Sequence, residues 1–188
     1  ADVVNANDQN SGGEAAASGS VSSGFPDVPA TASYAEAVKT LSEAGIIQGD
    51  TSGNFNPDRT VTRAQAAAFL CRMLGTEESA KIKKSTKFTD VPESYWASGY
   101  IAAIAEKGVI SGYADGSFKP DNPVTCQQLL KMLVCAWGWK EDAESLGGWP
   151  NGYVTVAKES GYMENTSQAV TANATRSTVA VYIYNTMY

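Results

Sequence analysis

Residues 108–128 read GVISGYADGSFKPDNPVTCQQ, and residues 45–65, which lie 63 positions earlier, read GIIQGDTSGNFNPDRTVTRAQ. The two stretches share three glycines, a Phe-x-Pro-Asp turn and a Thr-x-x-Gln ending in the same register. That register continues without a gap from Phe25 to Gly75, where 17 of the 51 aligned positions are identical. One register kept through turns and apolar positions together indicates an internal repeat.

Each copy of the repeat predicts a helix, a structured loop and a second helix. In the second copy, apolar residues recur at helical spacing from Trp96 to Ala105, and Gly108 would then end this helix. Turn-forming residues fill the stretch that follows. The second helices would begin at capping boxes, which have the Thr-x-x-Gln spacing at Thr62 and Gln65 and at Thr125 and Gln128.

A third and weaker copy follows the second. Trp149 repeats Trp96 at a shift of 53 residues. Arg176 aligns with Arg63 of the first copy once three residues are left out. A unit of about 50 residues is too small to bury its own apolar surface, so the copies are expected to pack on one another. We therefore predict an all-α fold with long ordered loops.

The chain of 188 residues divides into four predicted segments. The first is rich in Gly, Ser and Ala, a composition typical of a flexible linker. The division is a flexible segment at 1–24, repeat 1 at 25–82, repeat 2 at 83–143 and a divergent repeat 3 at 144–188.

The composition argues against several classes of function. Lys plus Arg number 14 and Asp plus Glu number 20, a net charge of −6 that disfavours nucleic-acid binding. The chain has no His, so His-dependent nucleophiles and His-ligated zinc are excluded. Cys71, Cys126 and Cys135 lack C-x-x-C spacing, so neither a disulfide framework nor a metal site is expected. The sequence also predicts no membrane span and no signal peptide.

The repeat resembles the S-layer homology domain. That family has an opening Phe-x-Asp-Val, a Trp at the first helix, Gly-x-(Ile/Val)-x-Gly, a Gly-x-Phe-x-Pro turn and Thr-Arg-Ala-Glu at the second helix. The first copy has Thr62 to Gln65, with Gln in place of Glu. The second copy carries the other motifs, at Phe88–Val91, Trp96, Gly108–Gly112 and Gly116–Pro120.

The resemblance implies three repeats packed as a pseudo-threefold trimer, with the first helices at the centre and grooves between neighbours. The grooves of this family bind secondary cell-wall polysaccharide, often with a pyruvylated sugar. We therefore expect a secreted, non-catalytic anchoring module at the bacterial cell surface, without cofactor or metal. A structural subunit that self-assembles into a surface layer or filament, or that contacts other surface proteins, is the alternative.

Candidate ligand-binding residues combine cations, aromatic walls and hydrogen-bond donors. An Arg at the start of a helix can meet a carboxylate with two hydrogen bonds, and a Trp offers a flat apolar wall to a sugar ring. Main-chain N–H groups at Gly-rich turns can add donors. The predicted set is Arg63, Arg176, Asp27, Asp90, Trp96, Trp149, Gly49, Gly112, Gln65 and Gln128.

Each type of candidate residue also has a purely structural interpretation. The Trp side chains could belong to the core, the Asp carboxylates could brace turns, and the arginines could pair with a neighbouring carboxylate. Cys126 occupies the Arg position of the second copy, so we expect one or two working grooves. In the first copy, Ser33 takes the Trp position and Tyr34 stands one place away. No pair of Glu residues is placed for glycoside hydrolysis, so no catalytic residue is predicted.

Overall fold

The computed structural model describes residues 23–188, so the predicted flexible segment lies outside it apart from its last two residues. The described chain forms eight α-helices and no β-strand, which confirms the all-α prediction. The helices are α1 (Ala35–Glu43), α2 (Arg63–Met73), α3 (Glu77–Ile82), α4 (Ser98–Glu106), α5 (Cys126–Ala136), α6 (Lys140–Ser145), α7 (Asn151–Glu159) and α8 (Arg176–Met187).

The three helix–loop–helix pairs are α1 with α2, α4 with α5, and α7 with α8. The first helix of each pair is followed by a glycine with positive φ, at 72° for Gly45, 72° for Gly108 and 78° for Gly161. Only glycine adopts this conformation without strain, so the predicted end of the helix at Gly108 is confirmed.

The second helices begin as the capping-box spacing predicts. Thr62 Oγ1 accepts a hydrogen bond of 3.1 Å from the Gln65 N–H, and Gln65 Oε1 accepts one of 3.0 Å from the Thr62 N–H. Thr125 and Gln128 form the same reciprocal pair ahead of α5. Each box satisfies two N–H groups that the helix leaves without an internal partner.

The second helices form the centre of the fold. Each first helix packs on the second helix of another pair, α4 on α2, α7 on α5 and α1 on α8, while α5 also contacts both α2 and α8. The expectation that the first helices are central is therefore wrong. The physical reason is that α2 is apolar on nearly every side, with buried residues at all positions from Ala66 to Cys71, and such a helix must be enclosed.

A closed ring of main-chain hydrogen bonds joins the three segments that lead into the central helices. The Val61 N–H donates to the Ala174 carbonyl at 3.0 Å, Ala174 to Val124 at 2.8 Å, and Val124 back to Val61 at 2.8 Å. All three residues are fully buried. Because the cycle returns to its starting residue, no pair can shift without breaking a buried hydrogen bond.

The first two N–H groups of each central helix also find partners in the next segment. These groups have no acceptor within their own helix. Those of α2 donate to the carbonyls of Asn122 and Pro120, those of α5 to Ala172 and Val170, and those of α8 to Arg59 and Pro57. The start of every central helix is thereby held on the loop of another pair.

Two short connecting helices, α3 and α6, were not predicted. They are polar six-residue helices without a long apolar stripe, so periodicity does not reveal them. Each packs on the helix that follows it, α3 on α4 and α6 on α7. The predicted boundary between residues 143 and 144 falls inside α6, and the packing groups each connector with the following pair.

Gly99 and Gly152 allow the connectors to approach so closely. A Cβ on Gly99 would lie 1.9 Å from the Ala80 carbonyl oxygen, and one on Gly152 would lie 1.9 Å from that of Ala143. Both contacts are with backbone, which cannot move aside cheaply. The equivalent position on α1 is Glu36, which is exposed.

We expect Gly99→Ala to lower the free energy of unfolding by about 1–3 kcal/mol, because α3 must move away from α4. The loss should appear although alanine is the better helix former. The matched control is Glu36→Ala, which we expect to change stability by less than about 0.5 kcal/mol. Urea denaturation measures both, and a Gly99→Ala protein as stable as the parent would contradict the close packing.

Candidate ligand-binding clefts

Arg63 is held at the start of α2 with its guanidinium under the loop of the second pair. Its Nε donates to the Phe118 carbonyl at 2.7 Å, and one Nη donates to the Ser111 carbonyl at 3.4 Å. The guanidinium carbon lies 4.5 Å from the centre of the Phe118 ring and 5.0 Å from that of Tyr113. The residue is 4% exposed.

The charge of Arg63 is not paired with a carboxylate of the part of the chain that the structure describes. No Asp or Glu oxygen of residues 23–188 lies within ion-pairing distance of its guanidinium. Burial lowers the pKa of the Arg63 guanidinium, while Tyr113 and Asp90 act in the opposite direction. Two of its five N–H groups donate hydrogen bonds to acceptors within residues 23–188.

Arg176 repeats this arrangement at the start of α8. Its Nε donates to the Phe55 carbonyl at 2.7 Å and one Nη donates to the Gln48 carbonyl at 2.6 Å. The guanidinium carbon lies 4.7 Å from the centre of the Phe55 ring. Both arginines occupy the first turn of their helices, as predicted, and both are fixed by carbonyls from another pair.

The predicted glutamines and glycines lie beside these arginines. Gln128 and Gly112 line the same cleft as Arg63, and Gln65 and Gly49 line the cleft with Arg176. Each Gln oxygen is used in a capping box, so the amide N–H groups are the part free to meet a ligand. The Gln128 amide donates to the Tyr113 hydroxyl at 3.3 Å.

The two glycines are also required by packing. A Cβ on Gly49 would lie 2.5 Å from the Phe25 ring, and one on Gly112 would lie 2.6 Å from the Phe88 ring. These rings belong to the Phe-x-Asp-Val segments. The absence of a side chain at each glycine therefore allows the Phe ring to pack against the loop that forms the cleft.

The predicted tryptophans are at the surface rather than in the core. Trp149 is 44% exposed and lines the cleft of Arg63, whereas Trp96 is 58% exposed. Trp96 does not line the cleft of either arginine and instead lines a depression of about 400 Å³ beside α3 and α4. The structure thus brings Arg63, Gly112, Gln128 and Trp149 together and leaves Trp96 outside this group.

Three clefts occupy equivalent places, each where the first residue of one central helix meets the loop and the second helix of another pair. Cleft 1, of about 220 Å³, contains Arg63, Gly112, Gln128, Lys131 and Trp149. Cleft 2, of about 170 Å³, contains Arg176, Gly49, Gln65, Arg59 and Asp50. Cleft 3, of about 260 Å³, lies between the loop at 165–168, the start of α8 and the residues Ser33 and Tyr34.

Cleft 3 has Cys126 at the place of the arginines. The Cys126 side chain is fully buried and its Sγ lies 3.4 Å from Gln168 Oε1. Burial raises the pKa of the Cys126 thiol to about 11, so the group stays uncharged near neutral pH. This cleft therefore has no fixed cation from the helix start.

Lys131 and Tyr113 are cleft residues that the sequence analysis missed. The Lys131 Nζ lies 5.1 Å from the centre of the Trp149 ring and 5.0 Å from that of Tyr153, a cation–π arrangement. One signal could have identified it, since Lys131 follows Gln128 by three residues and so shares its helix face. Tyr113 lies in a loop, where no periodic pattern exists.

Asp27 and Asp90 brace the turns and line none of the three clefts. The two oxygens of Asp27 accept hydrogen bonds of 2.8 and 2.6 Å from the N–H groups of Phe55 and Asn56. Those of Asp90 accept bonds of 2.8 Å from Phe118 and Lys119. We therefore assign both carboxylates to holding the Gly-x-Phe-x-Pro turn, which carries the carbonyl that fixes each arginine.

We expect Asp90→Asn to lower the free energy of unfolding by about 1–3 kcal/mol, because the amide keeps one acceptor oxygen, loses the negative charge and leaves the N–H of Phe118 or of Lys119 without an acceptor. The exposed Asp58 provides the control, and Asp58→Asn should change stability by less than about 0.5 kcal/mol. Urea denaturation monitored by tryptophan fluorescence measures both variants. Equal stability of the two would contradict the bracing role.

No helix of residues 23–188 is long and apolar enough to cross a membrane. Residues 24–67 and 87–128 each match the family model of the S-layer homology domain. These two segments contain the capping boxes at α2 and α5, together with the braced turns that precede them.

Several relatives are surface proteins by name. A "Surface layer protein" of Brevibacillus choshinensis is 33% identical over 129 residues, 68% of this chain and 11% of that protein. A "Cell surface protein" of Thermoanaerobacter kivui is 34% identical over 161 residues, 85% of this chain and 20% of that protein. A "Cellulosome-anchoring protein" of Acetivibrio thermocellus is 36% identical over 87 residues, 46% of this chain and 20% of that protein.

The chain spans between 11% and 20% of the length of these relatives, so the similarity concerns a module of each. The sequence motifs, the helix caps and the family match agree over the same residues. The chain therefore carries two S-layer homology domains, at residues 24–67 and 87–128.

Proposed function

We propose that this chain is a non-catalytic module that holds a protein on the bacterial cell surface by binding an acidic cell-wall polysaccharide. A cell-surface location follows from its S-layer homology domains and from the surface proteins that share them. The pyruvylated sugar of a secondary cell-wall polysaccharide is the ligand that we assign to clefts 1 and 2. The single observation that carries this assignment is Arg63, a nearly buried cation that no carboxylate among residues 23–188 pairs with.

The chemistry of cleft 1 suits an anionic sugar. Removing a guanidinium from water costs free energy that carbonyl hydrogen bonds recover only in part, so an anion bound there is favoured. Lys131 adds a second positive charge to the same cleft, and Trp149 offers an exposed ring beside it. A carboxylate with a sugar ring attached would use the charges, the amide of Gln128 and the aromatic face together.

We further propose that residues 144–188 are a third, divergent copy of the domain and that the three copies form a pseudo-threefold unit. The Trp149 and Tyr153 rings lie 6.4 Å apart at 59°, the same distance and angle as Trp96 and Tyr100. Thr175 caps α8 through the Thr178 N–H, as the capping threonines do in the other copies. The closed hydrogen-bond ring through Ala174 also supports this arrangement.

We expect Arg63→Lys to weaken binding of an acidic sugar by about 10- to 100-fold, because lysine keeps the charge but loses the two-pronged donor geometry. The probe is a methyl N-acetylhexosaminide that carries a pyruvate ketal, and the measurement is isothermal titration calorimetry. The parent should also bind the probe less tightly as salt concentration rises.

Arg72→Lys is the matched control for this experiment. Arg72 pairs with Glu77 at 3.1 Å and lies outside the three clefts, so its substitution should leave affinity unchanged. Thermal denaturation of each variant shows whether the fold is retained. Unchanged affinity of a folded Arg63→Lys protein would refute the assignment of the ligand to cleft 1.

Self-assembly into a surface layer is the alternative function, and one observation favours it. Trp137, Trp139 and Leu146, at the ends of α5 and α6, are 44%, 48% and 50% exposed. Exposed apolar groups of this size often mark a protein interface.

Sedimentation of the chain with and without residues 1–24 separates the two functions. An anchoring module should remain a monomer in both forms at all concentrations tested. Oligomers that grow with protein concentration, and that disappear when Trp137 and Trp139 are changed to Ser, would favour assembly instead.

A further inference from the structure

The three clefts differ in the charge of their lining, although the same elements build them. Arg63 and Lys131 line cleft 1, without an acidic residue. Cleft 2 is lined by two cations, Arg176 and Arg59, and by one carboxylate, Asp50. Cleft 3 has no charged lining residue among those that the structure describes. Anionic groups are therefore favoured at clefts 1 and 2 and have no charge partner at cleft 3.

The loss of the cation at cleft 3 is accompanied by a change in its neighbour. The seventh residue of each central helix approaches the start of another one: Arg176 lies 5.9 Å from the centre of the Phe69 ring, and Met132 lines the cleft of Arg63. Tyr182 of α8 is the equivalent residue beside Cys126. The large Tyr182 side chain thus lies beside Cys126, which is smaller than the arginines, and both residues are fully buried.

The remaining cleft is lined by neutral hydrogen-bonding groups. Hydroxyls come from Ser33, Tyr34, Ser167 and Thr178, and the loop adds the side-chain amide of Asn165. The side chains of Ser33, Tyr34 and Ser167 make no hydrogen bond within residues 23–188. Free hydroxyl and amide groups around an open cleft match the alternating donors and acceptors of a sugar's hydroxyl and acetamido groups.

We propose that cleft 3 binds an uncharged, hydroxyl-rich sugar unit, so that one wall polysaccharide meets this chain with acidic units at clefts 1 and 2 and a neutral unit at cleft 3. The inference rests on the proposed polysaccharide binding, and it assigns the neutral unit to the cleft between the loop at 165–168, α8 and Ser33. The Tyr34 ring, half-buried beside this cleft, is the aromatic wall for that unit.

The test is a titration of the isotope-labelled full chain, followed by NMR through its backbone amide signals. The neutral probe is N,N′-diacetylchitobiose, and the acidic probe is the pyruvate ketal of methyl N-acetylglucosaminide. We expect the neutral probe to shift the signals of Ser167 and Thr178, with an affinity that does not change between about 0.05 and 0.5 M salt. The acidic probe should shift the signals of clefts 1 and 2, with an affinity that falls as salt rises.

Two exposed hydroxyls allow a test that leaves the fold intact. Ser33→Ala and Ser167→Ala together should weaken binding of the neutral probe by about 5- to 10-fold, since each removes one hydrogen bond. Ser52→Ala, at an exposed hydroxyl away from cleft 3, is the matched control and should have no effect.

Two results would overturn the inference. One is an acidic probe that shifts the signals of cleft 3 as strongly as those of cleft 1. The other is a neutral probe that shifts no signal at cleft 3 at concentrations that saturate any site elsewhere. Loss of acidic-probe binding at cleft 1 would instead count against the proposed function, so the two failures are distinguishable.

Discussion

The hydrogen-bond ring through Val61, Ala174 and Val124 is the constraint on which the clefts depend. It holds the segments before α2, α8 and α5 in one buried layer, each donating to one neighbour and accepting from the other. The next N–H groups along each helix then meet carbonyls of another pair. Because a helix start cannot satisfy these groups internally, packing against a foreign loop completes it. The clefts form where those loops and helix starts meet.

This arrangement explains why a cation is placed where helix energetics disfavour it. The positive end of a helix repels an arginine in its first turn. Arg63 and Arg176 are nevertheless fixed there by carbonyls and aromatic rings, which leaves part of each guanidinium directed at the cleft. The braced turn contributes twice, since Asp90 holds the N–H of Phe118 while the carbonyl of Phe118 accepts from Arg63. The hydrogen bonds of the turn thus fix the position of the charge.

The clefts are variations on one construction, and their differences arise from single side chains. Lys131 gives cleft 1 a second charge, and Cys126 removes the cation from cleft 3. The backbone around Cys126 keeps the hydrogen bonds of the other helix starts, so the scaffold tolerates the change. Two of the three clefts therefore carry charged side chains, and the third is lined by uncharged ones.

Local interactions were readable from the sequence, because they join residues that are neighbours in the chain. The capping boxes, the helix end at Gly108 and the helical periodicity of each copy all depend on contacts within about one or two turns. The sequence did not predict the short helices α3 and α6, because packing against α4 and α7 stabilises them and their own residue pattern does not.

The clefts were decided by the tertiary structure alone. Arg63 donates to Phe118, 55 residues away in the sequence, and Arg176 donates to Phe55, 121 residues away. Over such separations the sequence spacing does not show which way a side chain points or how exposed it is. The same holds for the two tryptophans: Trp149 lines cleft 1, whereas Trp96 does not line the cleft of Arg176. Motifs identify which side chains are available, and the packing of one copy against another determines which of them share a site.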